Sequence, residues 1–75
     1  MIREEEHLAQ ADRHIAEGEA RIARQLDLIA RSRAAGGGTA EAETLLGTME
    51  QSQALGRRHR VMILDEIAAG GRRLP

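Results

Sequence analysis

Arg33-Ala34-Ala35-Gly36-Gly37-Gly38-Thr39-Ala40-Glu41-Ala42-Glu43 is the stretch whose reading decides the fold. The three glycines are the strong breaker in the interior of the chain, and glycine ends helices because it alone enters the left-handed region without strain. Thr39 suits the cap of a following helix, and Glu41 and Glu43 in its first turn complement the positive end of the helix dipole. Outward from this hinge, the pattern predicts helix 1 over about residues 3–35, a glycine-rich turn at 36–39 and helix 2 over about 40–69. The tail Gly70-Gly71-Arg72-Arg73-Leu74-Pro75 is expected to end helix 2 and fray.

Upstream of the hinge the chain repeats every seven residues. Leu8-Ala9, Ile15-Ala16, Ile22-Ala23 and Ile29-Ala30 recur at identical spacing, which draws one stripe along a helix. Ala11, Gly18, Gln25 and Ser32 hold the companion positions and are small or polar, while Leu26 and Leu28 widen the stripe. Downstream the seam reads Ala42, Leu45/Leu46, Met49, Ser52/Gln53, Gly56, His59/Arg60, Ile63 and Ile67. The expected association stripe is therefore Leu8, Ile15, Ile22, Leu26, Ile29, Leu45, Leu46, Met49, Ile63 and Ile67. Folding at Gly37 sets Ile29 near Leu45/Leu46, Leu26 near Met49, Ile22 near Gln53, Ile15 near His59/Arg60 and Leu8 near Ile67. Gly18 then falls near Gly56, and the two are expected to form a thin, closely packed waist.

Charge supports the same antiparallel arrangement. Residues 1–19 hold two arginines against six acids, net −4, and residues 20–38 hold four against Asp27, net +3. Residues 39–56 carry Glu41, Glu43 and Glu50, net −3, and residues 57–75 carry five arginines against Asp65 and Glu66, net +3. A hairpin lays unlike blocks side by side. Such exposed pairs select orientation and partner more than they stabilise.

Size makes association the expected end state. A chain of 75 residues buries only about 60% of its unfolded surface and usually needs a staple. There is no cysteine, Phe, Tyr or Trp, which removes disulfides and Cys-based zinc sites and leaves an aliphatic core. Two helices enclose little volume, so the expected architecture is all-α. It is an antiparallel, coiled-coil-like two-helix hairpin that dimerises with C2 symmetry into a four-helix bundle. A formal net charge of −1 gives no bulk attraction for nucleic acid or membrane. The longest apolar run, Val61-Met62-Ile63-Leu64, is far below membrane-spanning length. Met1–Glu6 lacks a signal-peptide core and position 2 is not glycine, so a cytoplasmic location is expected.

Three clusters could carry chemistry. Glu4 and His7 have the Glu-x-x-His spacing of di-iron bundles, followed by His14 and Glu17. Helix 2 offers no matching motif and the seam has no inward carboxylates, so solvated histidines are the plainer reading and no metal is expected. Arg57, Arg58 and Arg60, with Arg72 and Arg73, form a candidate anion or partner patch. The plainer reading is that they balance Asp12, Glu17 and Glu19 across the hairpin. His59 is a candidate pH switch if buried in the seam. Gly36-Gly37-Gly38 lacks the strand and Gly-Lys-Ser/Thr of a phosphate loop. No nucleophile–base arrangement is readable, so neither a catalytic residue nor a cofactor is expected.

His14-Ile15-Ala16-Glu17-Gly18-Glu19-Ala20-Arg21-Ile22-Ala23-Arg24-Gln25, with Leu28-Ile29-Ala30, Thr39-Ala40-Glu41-Ala42-Glu43-Thr44-Leu45-Leu46 and His59-Arg60, resembles a group of small, uncharacterised bacterial helical proteins. The resemblance covers residues 7–64 and implies a short helical hairpin; it carries over no activity, cofactor or catalytic residue. The expected role is a non-enzymatic interaction module acting through its helical surfaces as an adaptor, regulator or inhibitor. A nucleic-acid-associated protein using the arginine patch, and a metal-binding bundle, are the alternatives.

Overall fold

The computed structural model describes residues 3–72, with side chains placed for residues 3–70. Helix α1 runs Glu4–Ala34 and helix α2 runs Ala40–Arg72, with no strand among the described residues. The two helices pack against each other as an antiparallel hairpin, a rod with extents of 65 × 17 × 15 Å. Both start with acids in the first turn, Glu4-Glu5-Glu6 and Glu41/Glu43, and α1 ends with Arg31 and Arg33, so charges complement the dipole at these ends.

The reversal is made at Gly36. Its φ of 79° is left-handed, which a side chain would strain. The Gly36 N–H donates to Arg33 O at 3.0 Å and the Gly37 N–H donates to Ser32 O at 2.8 Å. These two bonds satisfy carbonyls that the end of α1 would otherwise leave open. Helix α2 then starts directly after Thr39. The Thr39 hydroxyl donates to the Glu43 carboxylate at 3.2 Å, so the side chains at this end tie to each other. Helix α2 continues through Gly70 and Gly71 to Arg72, beyond the expected end near residue 69. Glycine costs helix stability without by itself stopping a helix, and among the described glycines only Gly36 takes the left-handed φ that reverses the chain.

The seam follows one heptad phase on each helix. On α1 it is Leu8, Ala11, Ile15, Gly18, Ile22, Gln25, Ile29 and Ser32; on α2 it is Ala42, Leu46, Met49, Gln53, Gly56, Arg60, Ile63 and Ile67. Ile29 and Ile63 are the best covered, at 4% and 3% exposure, and Ala11, Gly18, Gln25 and Gln53 are buried with them. The adjacent pairs left open by the sequence resolve to Leu46, Gln53 and Arg60. Their neighbours Leu45, Ser52 and His59 are exposed.

The register differs from the expected one. Gln53 Nε2 donates to Ile15 O at 2.7 Å, and Gln25 Nε2 donates to Ala42 O at 2.9 Å. The Gln53 amide lies over Gly18, where a Cβ would overlap its oxygen and sit 2.9 Å from its Cδ. Gly56 faces Ile15, with room for a Cβ at 3.8 Å from Ile15 Cγ1. Gly18 thus meets Gln53 instead of Gly56, and the pairing is shifted by close to one turn. The two glycines both face the opposite helix, at neighbouring levels. The turn reverses the chain at Gly36, and the register that follows seats both amides on carbonyls.

Glycine substitutions separate backbone cost from packing. Nothing lies within 4 Å of a Cβ at Gly47, so Gly47→Ala is expected to stabilise by about 1 kcal/mol and raise Tm by roughly 4–8 °C. Gly18→Ala gains the same helix propensity but must displace the Gln53 amide, whose lost buried bond costs about 1–3 kcal/mol. A thermal melt of each variant is expected to show Tm rising for position 47 and level or falling for position 18. Equal rises would show that the amide is not held against α1.

Candidate association surface

The hairpin has two long sides, set by which residues flank the seam. One side has a groove lined by Glu19, Ile22, Ala23, Leu26, Glu50, Gln53 and Arg57. Ion pairs tie the helices along it. Arg33 pairs with Glu43, Arg57 with Glu19 at 3.4 Å, and Arg60 with Asp12 at 2.5 Å. Asp12, Glu19 and Arg33 fall on one heptad-spaced line with Leu26, and Glu43, Glu50 and Arg57 fall on another. The pairs join the net −4 block to a +3 block and the other +3 block to the −3 block, as the charge pattern predicts.

The opposite side is lined by His14, Gly18, Arg21, Thr48, Met49 and Ser52. No ion pair crosses between the helices there among the described residues. Continuing the heptads of Thr48 and Ser52 along α2 gives Glu41, Leu45, Thr48, Ser52, Leu55, His59, Met62, Glu66 and Ala69, and the six from Leu45 to Met62 are all exposed. Exposure is 49% at Leu45, 60% at Leu55 and 59% at Met62. Leu28, one heptad on from Arg21, extends this side on α1 and is also exposed.

The expected stripe is therefore divided. Leu8, Ile15, Ile22, Ile29, Leu46, Met49, Ile63 and Ile67 line the seam. Leu26, at 51% exposure, and Leu45 lie on its two flanks, where within one hairpin they face outward. Leu55, Val61, Met62 and Leu64 are exposed apolar residues that the stripe did not include. The signal for Leu55 and Met62 was a second heptad on α2, offset by one residue from the first.

Of the basic patch, Arg57 and Arg60 are engaged with Glu19 and Asp12, and Arg58 is exposed. The Arg72 side chain and Arg73 lie outside the described residues. His59 is exposed on the flank, outside the seam of the hairpin. Among the described residues no group of three or more His, Asp or Glu is placed to hold a metal ion. No helix among them is long and apolar enough to cross a membrane. Every buried side-chain polar atom among them has a partner, so no orphaned group points to a missing ligand.

What this surface can do chemically is bury apolar area against another helix. Comparison with family models, with curated proteins and with solved structures finds no match to the chain.

Proposed function

We infer that the chain is a non-enzymatic association module that works as a homodimer of hairpins, a four-helix bundle whose outer Arg/Glu surface is offered to a protein partner. The observation that carries this is unburied surface. The hairpin exposes 5925 Å², whereas a compact chain of 8.2 kDa would expose roughly 4,500 Å². The excess, about 1,400 Å² per chain, is ample for a specific interface, which takes about 800 Å² per partner. The radius of gyration of 17.6 Å likewise exceeds the roughly 11 Å of a compact domain this long. Among the described residues only Ala11, Ile29 and Ile63 are buried apolar residues, while seven large apolar side chains stay exposed. A core that small leaves an isolated hairpin with little to set against chain entropy.

Light scattering coupled to size exclusion tests this, with concentration read by refractive index because the chain has no Trp or Tyr. The expected mass is twice 8.2 kDa. A monomer at every concentration, folded and melting cooperatively, would overturn the reading. The arginine patch does not lead to a nucleic-acid reading, because Arg57 and Arg60 already face carboxylates across the hairpin.

A further inference from the structure

We propose that the second copy docks on the flank of α2 formed by Leu45, Thr48, Ser52, Leu55, His59 and Met62, with the two α2 helices antiparallel about a two-fold axis near Ser52. This rests on the homodimer reading above and assigns it a face and an orientation.

Charge selects the face. The six central residues of the flank, between Glu41 and Glu66 at its ends, contain no Asp, Glu, Arg or Lys, and all six are exposed in the hairpin; the arginine that lines this side, Arg21, belongs to α1. Three of them, Leu45, Leu55 and Met62, are about half or more exposed. The six recur at alternating spacings of three and four residues, the spacing that keeps one helix face against a partner helix. The opposite side of the hairpin is built differently. A partner there would cover Asp12–Arg60, Glu19–Arg57 and Arg33–Glu43, and taking ion pairs out of water carries a desolvation cost that their attraction repays only in excellent geometry. The flank of α2 can be covered without desolvating any of these pairs.

Charge also selects the orientation. Residues 39–56 carry net −3, and residues 57–65, which an axis near Ser52 lays along them, carry Arg57, Arg58 and Arg60 against Asp65, net +2. Parallel α2 helices would set like blocks side by side. Antiparallel helices set the acidic half of each along the basic half of the other, which favours this pairing and disfavours the alternative. Leu45 of one copy then meets the His59–Met62 turn of its mate. The small Ser52 and Thr48 lie near the axis, where they allow the helices to approach closely. A two-fold contact uses the same patch on both copies, so the assembly closes at two.

Single cysteines read the geometry cleanly because the chain has none. Ser52→Cys places a thiol within a turn of the proposed axis. Ala23→Cys places one in the groove on the ion-paired side. Each variant is treated with a short bismaleimide at a concentration where light scattering reports a dimer. The expected result is covalent dimer for most of Ser52→Cys and only background for Ala23→Cys, at least a tenfold difference in yield. Cross-linking at Ala23→Cys alone, equal yields at both, or none at either in a protein of dimeric mass would overturn the assignment while leaving the dimer intact. A monomeric mass for the unaltered protein would instead overturn the association reading, and the assignment with it.

Discussion

Ile29→Asp is expected to abolish the helical hairpin. Ile29 is the most deeply covered apolar side chain of α1, at 4% exposure. A carboxylate there would lose its hydration without gaining a cation. The nearest basic residue one turn on, Arg33, is already paired with Glu43 across the hairpin. Placing an unpaired charge in an apolar seam, together with loss of the isoleucine contacts, costs more than about 4 kcal/mol. A chain this small holds no such reserve, because single small domains are stable by only about 5–15 kcal/mol at best and short ones by less. Far-UV circular dichroism is expected to show loss of most of the helical signal and no cooperative melt. Leu26→Asp is the matched control. It lies three residues earlier on the same helix but is 51% exposed, and the hairpin is expected to survive it. Helical signal retained in Ile29→Asp, or lost equally in both, would mean that the seam has been assigned to the wrong face.

The contrast between Ile29 and Leu26 also marks how far the sequence could be read. Helix identity was legible because the breaker is unambiguous: three glycines and a threonine sit between two long apolar periodicities. The expected bounds of α1 differ from Glu4–Ala34 by one residue at each end. The heptad phase of α1 was legible too, since Leu8, Ile15, Ile22 and Ile29 repeat at one spacing and all turn toward α2. On α2 the pattern could not choose between Leu45 and Leu46, or between Ser52 and Gln53. Each pair is two neighbours of similar polarity, one helical step apart. The register was not legible at all. It is set by where the turn reverses the chain and by two glutamine amides that reach backbone carbonyls. Hydrophobic patterning carries no information on either. The same blindness hid the second face: Leu55 and Met62 look like scattered apolar residues until Leu46 and Gln53 are fixed in the seam and Leu45 and Ser52 are thereby turned out.

Exchanging both buried glutamines for leucine is expected to raise stability and loosen specificity together. Gln25 and Gln53 hold seam positions at which coiled coils favour aliphatic residues. Their amides donate to Ala42 O and Ile15 O, carbonyls that lie within helices and accept bonds there as well. Removing the amides therefore orphans no buried backbone group. Each exchange gives up a hydrogen bond of about 1 kcal/mol net and buries an apolar side chain that contributes about 1.5–3 kcal/mol. The double variant Gln25→Leu/Gln53→Leu is expected to gain about 1–4 kcal/mol, read as a rise in Tm. A polar side chain at a seam position commonly fixes register and oligomer number at the expense of stability. Here each amide reaches its carbonyl only when the hairpin is in the observed register. With leucine at both positions, neighbouring registers and larger assemblies become nearly equivalent, because a uniformly apolar seam slides by a turn without leaving a polar group unpaired. Light scattering is then expected to show species heavier than the dimer, and cross-linking through Ser52→Cys to lose its preference over Ala23→Cys. A Tm that falls would show that the amides contribute net stability. A higher Tm with an unchanged single species would show that the turn alone sets the register, and that the glutamines are tolerated rather than required.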